Sequence, residues 1–218
     1  FVMHAYKKDR IHVEHGNQFV IDNRYDPENY FLTENLPEPI INLPFGSFMV
    51  IHFLNEIKKE RPYLDKVYPF SLYLRWAFIH DTKFFFKATF RLVLWFIKFV
   101  TVRNPARKIN WLQAINILNQ VSIHPKLQKE AKRLLMANKD LNIVIFGHTH
   151  QPLHRVFAPG KEYFNTGTWN ERISIELGSL GRIRRLTFVQ IDYDKDGIPQ
   201  GVLKAWRGRQ DVVEDLSY

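Results

Sequence analysis

Two histidines separated by one residue, His148 and His150, close the apolar run Leu141–Gln151, LNIVIFGHTHQ. Alternate residues of a strand share a face, so this spacing predicts two imidazoles leaving one strand end on the same side. Gly147 stands between run and pair, where the absence of a Cβ eases a turn. The carboxyl end of a buried strand is where α/β sheets form their ligand crevice, and neutral imidazoles there are ready donors to a metal ion. The bland alternative is a pair of polar loop histidines, but the apolar strand before them favours metal chemistry. An earlier segment, Ile11–Glu14, repeats the order: strand, then His15, then Gly16.

The rest of the composition narrows that chemistry. The 218 residues contain no cysteine, which excludes disulfides, thiolate ligands and thiol nucleophiles. Any metal must be held by imidazole, carboxylate, amide or backbone oxygen, which favours a hard or borderline ion. Lys and Arg outnumber Asp and Glu by 31 to 22, a net charge of +9 that favours anionic partners: phosphorylated substrates, an anionic membrane or nucleic acid. The chain opens with Phe1 and runs at once into strand-like sequence. This reads as the middle of a protein and predicts an amino-terminal portion upstream.

Several elements must position the histidines. Phe1–Tyr6 and Ile11–Glu14 read as strands around a charged turn, Lys7–Arg10. Asn and Pro residues punctuate an irregular connection from Phe19 to Pro44. Helical periodicity follows, over Ser47–Lys59 with Ser47 as cap, Ser71–Ile79, Thr82–Val102, Ala106–Gln120 and from Pro125 to about Asn138. After His150 the pattern is β: Arg155–Ala158 and Glu162–Phe164 around Pro159-Gly160, then Arg172–Leu177, Arg184–Tyr193 and Gly201–Trp206, with Asp196-Gly197 as the last hairpin turn. Asn165–Trp169 reads as a tight polar turn, and the tail from Arg209 as frayed. The expected fold class is α/β, with a core of 1–29 and 122–218 divided by an all-helical insertion, 30–121.

Gly-His-Thr-His at 147–150, His-Gly at 15–16 and Asn-Thr-Gly-Thr-Trp at 165–169 resemble the carboxyl-terminal half of the calcineurin-like metallophosphoesterases. The resemblance implies a β sandwich flanked by helices and a site for two divalent ions, manganese favoured over iron or zinc. It makes His15 and His148 ligands of one ion and His150 a ligand of the other. The family's earlier motifs, which supply the bridging Asp, a ligand Asn and the catalytic His, have no counterpart here. The catalytic residues are therefore expected upstream of residue 1, and the chain alone is expected to be inactive. A second alignment reads Gly16-Asn17-Gln18 as a degenerate third motif, with Asn17 as ligand and Gln18 in place of the catalytic His. It needs His52, His80 or His124 as a further ligand. His154 lies close enough to the motif to touch a substrate phosphate, and Asn17 is a second candidate for substrate binding. His4 and His12 receive no role. Asn165, Thr166 or backbone carbonyls of the 165–169 turn could orient the imidazoles.

The insertion carries the other signal. Lys83, Lys87, Arg91 and Lys98 form one stripe on a helix otherwise covered by aromatic and aliphatic residues, a pattern suited to a membrane interface. The alternative is a buried cap helix whose lysines reach water. A helical cap over a dimetal site also resembles the UDP-2,3-diacylglucosamine pyrophosphohydrolase branch, although His-Gly-Asn stands here in place of His-Gly-Asp. The reading is a dinuclear-metal phosphohydrolase acting on a phosphorylated small molecule or lipid-linked substrate. Its expected setting is the cytoplasm, peripheral at the inner membrane face. The rivals are an inactive membrane-associated interaction protein of the same fold and a nuclease of the same family. The nuclease needs a basic groove leading to the metals, which the linear sequence does not display.

Overall fold

The computed structural model describes residues 5–102, 111–120 and 127–208. In chain order the strands are β1 (Ala5–Lys8), β2 (Ile11–Glu14), β3 (Phe31–Leu32), β4 (Ile40–Ile41), β5 (Val67–Tyr68), β6 (Ile143–Phe146), β7 (Pro152–Ala158), β8 (Lys161–Thr166), β9 (Arg172–Ser174), β10 (Gly181–Ile183), β11 (Leu186–Tyr193) and β12 (Pro199–Trp206). The helices are α1 (Phe45–Met49), α2 (Asn55–Lys58), α3 (Phe70–His80), α4 (Thr82–Thr101), α5 (Trp111–Gln120) and α6 (Leu127–Ala137), with a π-helical turn, Val50–Leu54, joining α1 to α2. The protein is therefore mixed α/β. It divides into two compact units: 1–15, 126–171 and 183–218 form the first, and 16–125 and 172–182 the second.

The first unit is built on a five-stranded sheet of order β1-β2-β6-β8-β7. Strands β2, β6 and β8 run parallel, and β1 and β7 close the two edges antiparallel. Strand β6, Ile-Val-Ile-Phe, is buried along its whole length, as a central strand covered on both faces must be. Ile143 and Ile145 join Ile11 and Phe164 on one face, packed against Val189, Ile191 and Leu203 of the β11–β12 hairpin. Val144 and Phe146 point to the opposite face by strand alternation. Helix α6 lies against β6 and β8, and its Leu127, Ala131 and Leu135 form a buried i, i+4, i+8 stripe. The turn between β1 and β2 is tighter than Lys7–Arg10: both lysines are in β1, and only Asp9 and Arg10 turn, at φ 48° and 66°. Two left-handed residues are what a two-residue hairpin loop requires.

The second unit has two apolar clusters. Ile57, Leu64, Val67, Tyr73, Ala77 and Phe84 form one, and Phe45, Phe48, Phe99 and Ala114 the other. The first long helix begins at Phe45, directly after Pro44, and not at a Ser47 cap. Burial of Phe45 and Phe48 draws the turn before Ser47 into the core, and the amide of Gly46 donates to the carbonyl of Asp22 at 2.7 Å. The segment 30–121 is also not wholly helical, because β3 pairs with β4 across the proline-rich connection and β5 pairs in parallel with β9. Helix α4 matches its expected span to within a residue. Its basic stripe is partly neutralised, since Glu60 takes both Lys87 at 2.8 Å and Arg91 at 2.9 Å. Among the described residues no helix is long and apolar enough to cross a membrane. The expected helical turns over 106–110 and the tail beyond Gly208 lie outside the described residues, as do His4 and His124.

Candidate metal centre

Register places the first histidine beside the motif. Parallel pairing sets Ile11 against Ile143 and Val13 against Ile145, and the ladder ends where the amide of Gly147 donates to the carbonyl of His15 at 3.1 Å. His15 and His148 thus leave adjacent parallel strands at their carboxyl ends, the usual position of an α/β site. Nδ1 of His148 lies 3.3 Å from Nε2 of His15, with the rings edge-on at 77°.

The 147–150 segment does not continue the strand. Strand β6 stops at Phe146, and His148 and His150 both adopt left-handed backbone, at φ 65° and 59°. The expectation that strand alternation aims the two imidazoles is therefore corrected: a turn with two left-handed histidines aims them. Gly147 is not the residue that takes up the unusual conformation. A Cβ there would sit 3.6 Å from Nδ1 of His15, ordinary van der Waals contact. Left-handed backbone is uncommon for residues with a side chain, and such conformations concentrate at functional sites.

A buried side chain fixes this turn. Asn165, only 1% exposed, donates from Nδ2 to the carbonyl of Gly147 at 2.6 Å. Its Oδ1 accepts from the amide of Gly167 at 3.0 Å. Asn165 therefore clasps the 147–150 turn to the 165–169 turn through backbone atoms and does not touch an imidazole. The hydroxyl of Thr187 donates to the carbonyl of Thr166, and the indole of Trp169 donates to the carbonyl of Thr187 at 2.9 Å.

Electrostatics keep the pair ready for a cation. Burial first, then the charges of His15 and His150, lower the His148 pKa from 6.5 to about 4. Near neutral pH His148 is uncharged and keeps a nitrogen lone pair. The spacing is also suitable. Two nitrogens each about 2.0–2.1 Å from one tetrahedral ion stand roughly 3.3–3.4 Å apart. That is the observed separation, and it is long for a direct N–H···N bond. The separation is therefore compatible with either a hydrogen bond between the rings or two nitrogens on one ion. His150 acts on His148 through its charge, but among the described residues no set of three or more His, Cys, Asp or Glu could hold a metal.

The remaining candidates are placed elsewhere. His154 pairs with Glu162 at 2.6 Å and stacks on Phe164 at 4.4 Å, so it is occupied on the β7–β8 ladder. Asn17 donates to the carbonyl of Asn23 at 3.0 Å, and Gln18 accepts from the amide of Tyr25 at 2.9 Å, so both tie down their own loop. His52 stacks on Phe48, and His80 lies against Trp76. His12, given no role from sequence, is buried and 2.8 Å from Glu14. The signal for that contact was the His-x-Glu spacing, which puts both side chains on one face of β2.

Comparison with known proteins found no matching family model, no matching curated protein and no matching solved structure.

Proposed function

We propose that this chain is the carboxyl-terminal part of a dinuclear-metal phosphohydrolase with a calcineurin-like β sandwich. The observation that carries the reading is the 3.3 Å approach of His148 Nδ1 to His15 Nε2 at the carboxyl ends of adjacent parallel strands. His15 and His148 hold one divalent ion, and His150 contributes to a second whose other ligands come from outside these residues. When bound, such ions acidify water and neutralise charge on a phosphoryl group in displacement. The chain's own share is positional. The neutral His148 offers its lone pair without first losing a proton, and Asn165 holds the turn that aims it.

The second unit carries a feature of its own. Its α3–α4 surface exposes Phe78, Ile79, Phe86, Phe90, Val93 and Ile97, an apolar face that fits a lipid-linked substrate or a membrane surface. The test is manganese binding followed by electron paramagnetic resonance, alongside hydrolysis of a generic phosphodiester by the chain joined to its upstream sequence. His148→Ala and His15→Ala should each weaken manganese binding at least about ten-fold and abolish hydrolysis. Unchanged manganese affinity in both variants refutes the assignment.

A further inference from the structure

The β11–β12 hairpin carries a feature that the metal site does not use. A cavity of about 830 Å³ opens between its strands and Pro152. Among the described residues four cations line it, Arg184, Arg185, Lys204 and Arg207, and no Asp or Glu does. Lys204 donates to Gln190 at 2.7 Å, whereas no ion pair among the described residues engages Arg184, Arg185 or Arg207. Like charges gathered at one place repel one another, a cost that a bound anion reduces. Trp206, 56% exposed, lines the same cavity and stacks on Trp169 at 6.4 Å and 14°. The hydrogen bond from Trp169 to Thr187 anchors that stack.

The cavity lies on the sheet edge that carries the histidines. Pro152 pairs with Thr166 at the carboxyl end of β8, which runs parallel to β6, and Thr187, also in the lining, bonds to Thr166. Pro152 is two residues from His150, so their Cα atoms are at most about 7 Å apart. A basic cavity with an aromatic platform beside it meets the requirements of a single-stranded nucleic acid: arginines for successive phosphates and an indole for a base.

We infer that this cavity binds single-stranded nucleic acid, its arginines taking successive phosphates and Trp206 stacking on a base. The experiment is fluorescence anisotropy of a labelled oligothymidylate of about ten nucleotides with the 218-residue chain in EDTA, where neither metal nor hydrolysis contributes. Three or four contacted phosphates give an affinity that falls with salt with a log–log slope of about −2 to −3. The paired change Arg184→Glu and Arg185→Glu, and Arg207→Glu separately, should each weaken binding at least about ten-fold. Trp206→Ala should weaken it about ten-fold by loss of stacking. His148→Ala should bind the oligonucleotide as the unaltered chain does. Wild-type affinity in the charge-reversed variants overturns the inference. So does competition by inorganic pyrophosphate at equal affinity with Trp206→Ala unaffected, which marks a simple phosphate site. Loss of anionic-vesicle binding with oligonucleotide binding intact assigns the cavity to lipid and overturns it as well.

Discussion

Replacing Asn165 with alanine tests whether the histidine turn is held from beneath. The change removes the donor to the Gly147 carbonyl and the acceptor for the Gly167 amide, in a position 1% exposed. A buried backbone group left without a partner costs about 1–3 kcal/mol. Each of the two has partial access to water, because Gly147 and Gly167 are only half-buried. Taking the lower half of that range for each gives about 2–4 kcal/mol, before the small cavity left by the amide is counted. Asn165→Asp isolates the donor: a carboxylate can still accept from Gly167, but it turns a negative oxygen toward the Gly147 carbonyl and must itself be desolvated. Urea titration at neutral pH should therefore show both variants destabilised, and manganese affinity should fall about ten-fold as the turn loosens. If both variants unfold within about 0.5 kcal/mol of the unaltered chain, the clasp is not what holds the turn.

Two further outcomes follow from the same unit. Gly201→Ala would place a Cβ 2.5 Å from Cε2 of fully buried Phe164, so the hairpin or the ring must move. Destabilisation of about 1–3 kcal/mol in urea titration is expected, and an unchanged midpoint would show that the hairpin does not press on the sheet there. The pH dependence comes from His148. Its pKa is depressed to about 4 in the folded chain against 6.5 unfolded, so below 6.5 the unfolded chain binds a proton that the folded chain refuses. Stability therefore falls as pH drops from 6.5 to about 4 and levels off below. The full shift would amount to about 3 kcal/mol, and solvent access to the partly exposed ring reduces this to roughly 1–2 kcal/mol. Midpoints of His148→Gln at pH 7 and 4.5 should differ by correspondingly less than those of the unaltered chain, and parallel pH profiles would refute the assignment.

Local signals served well where one element decides its own conformation, and poorly where tertiary packing decides. The apolar run 143–146, the 82–101 helix and the Pro159-Gly160 turn were legible because periodicity or turn chemistry fixes each locally. The start at Phe45 was not legible, since a serine cap competes there with the burial of two phenylalanines, a term that only the folded core supplies. The meeting of His15 with His148 is implied by the family resemblance alone, because it depends on β2 choosing β6 as its parallel neighbour, with more than a hundred residues between them.

The histidine turn shows the same division at finer scale. Sequence correctly singles out Gly-His-Thr-His, yet strand alternation is the wrong cause, because the strand ends before the first imidazole. Two left-handed histidines are costly alone and persist because Asn165 over-determines the turn from the end of β8. The basic cavity is harder still to read. Arg184, Arg185, Lys204 and Arg207 come from opposite strands of a hairpin, and pairing of Leu186 with Trp206 brings them to one edge. In linear order they are two short basic clusters in a chain that is basic throughout, weaker to the eye than the stripe on α4. Folding reverses that ranking: Glu60 takes two charges of the stripe, while among the described residues no ion pair engages the three arginines of the hairpin.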